Sequence, residues 1–328
     1  MNFILINILL LKIKVICSNN IQTLKKNLII GAVVNYKWKK VAPFIKSYTM
    51  SGLENCDCIL FISKMSKYTI NKIKSFGIII YNIPEKYKNK KIINIRWKLY
   101  EDFLISNLYK YSLVMAVDVR DLFFQKDPFK YYNDKKSFLG VAIEDGTLSQ
   151  GINRKWIIKS YGKYLFKKIQ HKRIICVGTI WGTIDKFIKF SKEMWKRLDS
   201  DWSLKHKVIE QAVANFIIYH DKMFNDCLVI SSNKDGPIMT IARTKREDIY
   251  FDLDGNIINK KGEVAAIIHQ YNRKPEILTK VLNKYCSEII SNKAKNYYIL
   301  IFSLSFFFIL IKIILHLLYK GKLKKSLI

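Results

Sequence analysis

Short apolar runs alternate with stretches whose apolar residues recur every three to four positions, and this alternation organises the chain up to residue 117. The run LIIGAVV over 28–34 predicts a strand with Asn35 and Tyr36 at its end. Val41, Phe44, Ile45 and Tyr48 predict a helix over 41–50, and 58–62 predicts a second strand. A second helix over 68–76 is closed by Gly77, and a third strand over 78–83 is stopped by Pro84. Trp97, Tyr100, Phe103, Leu104 and Leu108 mark an amphipathic helix over 95–108. Residues 113–117 then form an unbroken apolar run, the pattern of a strand covered on both faces. Strand and helix in regular succession argue for a doubly wound α/β sheet.

The second half is less regular. A strand over 138–143 ends in Glu144-Asp145-Gly146, and a basic helix covers 156–169. Residues 176–183, CVGTIWGT, carry two glycines in a small-residue run, which fits either a loop that lets backbone approach a ligand or an ordinary turn. Helices are expected over 184–198 and 208–219, the latter holding Glu210-Gln211. Short strands follow at 228–230, 238–241 and 249–251, with Asp254-Gly255-Asn256 as a turn. A last strand over 265–268 delivers His269, and Pro275 opens a helix over 275–290.

The candidate chemistry gathers where the 113–117 run ends. Asp118, Arg120 and Asp121 follow it at once, and Asp127-Pro128 closes the segment. An ionised Asp cannot sit unpaired inside a covered strand, so the carboxylates belong at its carboxyl end, the edge where open α/β sheets bind ligands. Two neighbouring carboxylates repel unless a divalent metal or an Arg stands beside them. On this segment alone, a metal site and a turn salt-bridged through Arg120 fit equally well.

Composition changes this picture little. Half of the 328 residues are apolar, enough for one large α/β core. The net charge of +31 is carried by lysine, which makes up 49 of the 57 basic residues. Nucleic-acid readout favours Arg, so the balance argues against that class, while a basic surface remains suited to anionic membranes or substrates.

The two ends change it more. The apolar stretch 3–11 is too short to span a bilayer and precedes Cys17-Ser18, so 1–18 reads as a signal peptide; a buried first strand is the competing reading. Residues 297–319 are long and apolar enough for a transmembrane helix, and the basic tail 320–328 places the C-terminus in the cytosol. A single-pass protein with its main domain in a secretory lumen follows. Cys56, Cys58, Cys176, Cys227 and Cys286 remain after the signal, an odd number without zinc-finger spacing. No Asn-x-Ser/Thr sequon occurs.

An α/β domain with paired acids, a glycine-containing run and a late His fits a metal-bound diphosphate, with Mn²⁺ or Mg²⁺ as Lewis acid. Four segments in chain order, RWKLYEDFL from Arg96, DVRDLFFQKDPF from Asp118, EQAVANFIIY from Glu210 and HQYNR from His269, resemble nucleotide-diphospho-sugar glycosyltransferases of the GT-A fold. The resemblance covers 28–285 and implies a GT-A-like, Rossmann-type mixed sheet flanked by helices in a 28–290 domain. It implies a nucleotide-sugar donor and an unknown glycan, protein or lipid acceptor, with no nucleic acid, in the membrane of the endoplasmic reticulum or Golgi.

Residue by residue, it implies that Asp118, Asp121 and His269 hold the metal, with Asp118 also on the nucleotide. Gly178, Thr179 and Gly182 would line the sugar pocket, and Asn35 and Arg96 would contact the nucleotide; Arg96 can equally pair with Glu101 or Asp102. Glu210, beside Gln211, binds the transferred sugar, acts as base, or is a plain surface carboxylate. D-x-x-D replaces the usual DxD, so Arg120 either supports the acids or replaces the metal on the diphosphate. A catalytically inactive glycan-binding or scaffold protein is the alternative function.

Overall fold

The computed structural model describes residues 25–87, 89–200, 203, 205 and 208–287. The expected signal segment 1–18, the expected span 297–319 and the tail 320–328 lie outside the described residues. Among those described, no helix is long and apolar enough to cross a membrane. The chain forms two compact units, one up to Pro275 and one from Glu276 onward; the second begins within a helix over 275–287.

The first unit begins with β1 (Lys26–Val34), α1 (Trp38–Met50), β2 (Cys56–Ser63), α2 (Lys67–Ser75) and β3 (Ile79–Asn82). Then follow α3 (Ile92–Ile105), β4 (Tyr111–Val117) and the short β5 (Leu122–Phe124). The irregular half contains β6 (Leu139–Thr147), α4 (Gly151–Ile169, interrupted at Gly162), β7 (Arg173–Thr183), α5 (Ile184–Leu198) and α6 (Glu210–Tyr219). The last strands are β8 (Leu228–Ser231), β9 (Ile238–Thr240), β10 (Tyr250–Phe251), β11 (Ile257–Ile258) and β12 (Ile267–His269).

Seven strands form one sheet in the order β3-β2-β1-β4-β7-β6-β8. The first four run parallel, β7 is antiparallel to both β4 and β6, and β8 is parallel to β6. The expected mixed α/β sheet flanked by helices is therefore the architecture observed. β4 lies between β1 and β7, and Leu113 to Val117 are all buried. An unbroken apolar run is what a strand covered on both faces requires. One face is closed by Trp97 and Leu104 of α3, Phe187, Phe190 and Met194 of α5, and Val213 and Ile217 of α6.

The region 176–183 departs from the expected loop or turn. It lies within β7, an eleven-residue strand paired on both sides. Its glycines serve packing: a Cβ on Gly182 would come within 2.4 Å of the Phe138 carbonyl oxygen. The sheet thus uses the missing side chains to bring neighbours close, which local composition alone reads as a turn signal.

A second sheet decides where the site forms. It has three strands in the order β5-β12-β9, with β12 antiparallel to β5 and parallel to β9. β5 starts immediately after Asp121, and β12 ends on His269 paired with Leu122. The five described cysteines are all free thiols.

At the opposite edge of the large sheet, Asp57 of β2 ties three strands together. It accepts from Lys26 at 2.9 Å and from Tyr111 at 2.9 Å, and pairs with Lys110 at 2.9 Å. Burial alone would raise its pKa, but Lys110, Lys26 and Tyr111 outweigh that and hold it below the usual 3.8. A depressed carboxyl pKa stabilises the fold above the unfolded pKa and ceases to do so as pH falls through the folded value. Asp57→Asn should therefore cost about 1 kcal/mol at neutral pH, given the exposure of both lysines. The difference from wild type in urea denaturation should begin to shrink as pH falls below 3.8 and vanish only once pH has passed below the lower folded value.

Candidate metal and diphosphate site

Three side chains converge where β4, β5 and β12 meet. Asp118 follows β4, its backbone N–H donating to the Gly178 carbonyl at 2.9 Å. The chain turns through 119–120, and Asp121 stands at the start of β5. The Gln270 N–H donates to the Asp121 carbonyl at 2.7 Å, so the β5–β12 pairing continues past its last residue pair. Gln270 adopts left-handed backbone (φ 59°), which turns the chain away just beyond His269.

This register leaves one ligand atom each from Asp118, Asp121 and His269 within 4.8 Å of one another. His269 is 1 % exposed. Its Nε2 makes no hydrogen bond and lies 3.6 Å from Asp121 Oδ1 and 3.8 Å from Asp118 Oδ2. The ring lies over Gly178, where an added Cβ would stand 2.1 Å from His269 Cε1 and 2.9 Å from Asp118 Oδ2. Any other residue at that position would displace the imidazole. Burial disfavours charge on His269, but Cys176, Asp118 and Asp121 outweigh it and hold its pKa well above the ordinary value. The acids thus favour a positive charge where Nε2 sits, and a divalent cation satisfies the same demand.

Behind the carboxylates lies Arg96 of α3, 6 % exposed. Its Nη1 donates to Asp118 Oδ1 at 2.6 Å, Nε to Glu210 Oε2 at 3.0 Å, and Nη2 to Glu210 Oε1 at 3.1 Å and to the Val177 carbonyl at 3.2 Å. Trp97 Nε1 also donates to Glu210 Oε2, at 3.1 Å. Burial raises the Asp118 pKa, yet Arg96 overrides it and the net shift is downward. Glu210 is pushed up to about 7 by burial, against the pull of Arg96.

A cavity of about 240 Å³ opens above these groups, lined among others by Ala32, Tyr36, Arg96, Asp118, Arg120 and Asp121. The crevice expected at the carboxyl end of the 113–117 strand is therefore present. Arg120 stands at its mouth with its side chain 45 % exposed, 3.8 Å from Asp121.

The other expected residues fall into two groups. Glu210 lines the cavity but is no surface carboxylate, and Arg96 pairs with it and Asp118 rather than with Glu101 or Asp102. Gly178 touches the site, but Thr179 is fully buried within β7 and Gly182 packs on Phe138, four residues further along. Gln211 donates to Asn153 at 2.8 Å and to Glu144 at 3.5 Å. Asn35 is exposed at the end of β1, with positive φ, and is not among the lining residues. Sequence reasoning missed the Trp97 donor, the Cys176 contact with His269, and Tyr36 as a lining residue. Only Tyr36 carried a signal, its place at the end of the first strand.

No family model matches the chain, and no curated protein matches it. Among solved structures, an active-site mutant of LgtC superposes with a TM-score of 0.49 at 13% identity, covering 79% of this chain and 96% of that one. The galactosyltransferase LgtC in complex with donor and acceptor sugar analogues superposes with a TM-score of 0.45 at 13% identity, covering 74% and 86%.

The Arg96 arrangement makes a stability prediction. Arg96→Met leaves Glu210 buried without its cation and should lower unfolding free energy by about 3–5 kcal/mol in urea titration. Glu210→Gln keeps an acceptor for Trp97 and should cost less. The double variant Arg96→Met/Glu210→Gln should cost clearly less than the sum, because the stranded charge is gone.

Proposed function

We propose that this chain transfers a sugar from a nucleotide-diphosphate donor to an acceptor, with a divalent cation held by Asp118, Asp121 and His269. The observation that carries the reading is the buried, hydrogen-bond-free Nε2 of His269 facing two carboxylates, Asp118 and Asp121, that line a cavity of about 240 Å³. Two oxygen ligands and one imidazole nitrogen suit Mn²⁺, with Mg²⁺ second. The four motif segments noted above support the transferase class.

When bound, the cation would neutralise negative charge on the departing diphosphate. The protein's own residues do the rest. Arg96 keeps Asp118 ionised and fixes its orientation, so that Oδ2 faces the cavity while Oδ1 is occupied. The turn through 119–120 places Asp121 beside it, and Gly178 leaves room for the imidazole. Arg120, at the cavity mouth, is positioned to meet a donor phosphate and supports the acids rather than substituting for the metal. Its exposure and long contact give it at most about 1 kcal/mol of pairing with Asp121, too little to balance the group. Glu210 serves as the fixed counter-ion of Arg96, which leaves it unsuited to act as a mobile base.

The same reading keeps the 1–18 segment as signal and the 297–319 segment as anchor. The catalytic unit then faces a secretory lumen. That compartment also removes nucleic acid from the set of partners.

Isothermal titration of the purified full-length chain with nucleoside diphosphates tests the site. Mn²⁺ should tighten binding at least about tenfold, and Asp121→Ala and His269→Ala should each abolish that gain. Gly178→Ala should do the same while leaving the circular dichroism spectrum unchanged. Binding indifferent to Mn²⁺ in the wild type would exclude this ligand set. Donor binding without turnover across a panel of nucleotide sugars would favour a silent binding protein.

A further inference from the structure

The side of His269 that faces away from the acids has its own partner. Building on the cation site proposed above, we propose that Cys176 is a positioning residue: its sulfur accepts a hydrogen bond from the Nδ1–H of His269, which keeps the proton on Nδ1 and so fixes Nε2 toward Asp118 and Asp121. Cys176 Sγ lies 3.4 Å from His269 Nδ1, within the range for hydrogen bonds to sulfur. Cys176 and Gly178 both lie on β7, and the His269 ring meets each of them. The ring is thus held at one edge by the sulfur and over the gap left by the glycine at the other.

The logic is that of metal-binding histidines in general. Nε2 can offer its lone pair to a cation only when Nδ1 carries the proton, and a partner on Nδ1 sets that state and the ring orientation. Carboxylates and backbone carbonyls usually play this part; here the acceptor is a thiol. Glu144 of β6, 5 % exposed, interacts with Cys176 from beyond and is itself bonded by Gln211. The sulfur therefore lies within a line of buried polar groups running from α6 to the site. A nucleophilic role does not fit, because Cys176 is 1 % exposed and its sulfur is turned to the back of the imidazole.

Two readouts on the full-length protein test this, and only one involves a metal. The first is Mn²⁺ affinity followed by electron paramagnetic resonance, with the metal alone as probe. Cys176→Ala and the nearly isosteric Cys176→Val, which lack an acceptor, should weaken binding about 10–100-fold. Cys176→Ser, which keeps one, should restore most of it. The second is the ¹⁵Nδ1–¹H resonance of His269 in metal-free protein, which should move in the Ala and Val variants and stay near its wild-type position in Ser. Mere loss of packing would not produce this split between Val and Ser. Wild-type affinity together with an unmoved resonance in both Ala and Val overturns the proposal. A resonance that moves in a protein that binds no Mn²⁺ keeps the Cys176 contact and instead overturns the cation reading.

Discussion

A guanidinium sealed inside the protein is the constraint from which the site follows. Removing Arg96 from water costs several kcal/mol unless its donors are filled, and removing one partner strands the others. Nature of the partners matters as much as their number: Asp118 at the end of β4, Val177 within β7 and Glu210 at the start of α6 come from three separate parts of the chain. Satisfying one cation therefore locks α3, the central sheet and α6 into a single arrangement. It also decides which atoms remain for chemistry. Glu210 and Asp118 Oδ1 are spoken for, leaving Asp118 Oδ2, Asp121 Oδ1 and His269 Nε2 facing one another.

Charge bookkeeping around that cation then favours a second one. Asp118, Asp121 and Glu210 bring three carboxylates to a small volume, and the buried Arg96 bonds two of them. Cys176, Asp118 and Asp121 raise the His269 pKa despite burial, so the surroundings of this ring favour positive charge. A divalent ion in the same place would displace a proton from Nε2 and bind all three ligands, so proton and metal compete for one position.

What could be read from the sequence follows from how local each signal is. The β4 strand and its acids were legible because an apolar run that stops abruptly at charge admits few other folds. The helix over Ile184–Leu198 appears with the boundaries its periodicity gives, since one face meets the core and the other meets solvent. β7 was hidden because glycine weakens a strand locally, and only long-range neighbours, the His269 ring and the Phe138 carbonyl, explain why glycine is needed there. Arg96 and Glu210 are separated by 114 positions, and the nearby acids on α3 offered Arg96 equally plausible partners. The Cys176–His269 contact spans 93 positions between two different sheets and has no local signature.

The spacing of the acids shows the same distinction at smaller scale. In one continuous strand, residues three apart would face opposite sides, so a D-x-x-D pair could not share a ligand. Here the strand ends after Val117, the chain turns, and β5 begins after Asp121 in a different sheet. The intervening residues separate by polarity: Val119 is buried, 3 % exposed, while the Arg120 side chain is turned out to the cavity mouth. The extra residue is thus absorbed in the turn, and the partner strand that ends on His269 restores convergence. The apparent departure of Arg120 from an acidic motif becomes a consequence of backbone geometry: the Arg120 side chain takes the outward position, and Asp121 is the acid that faces His269 beside Asp118.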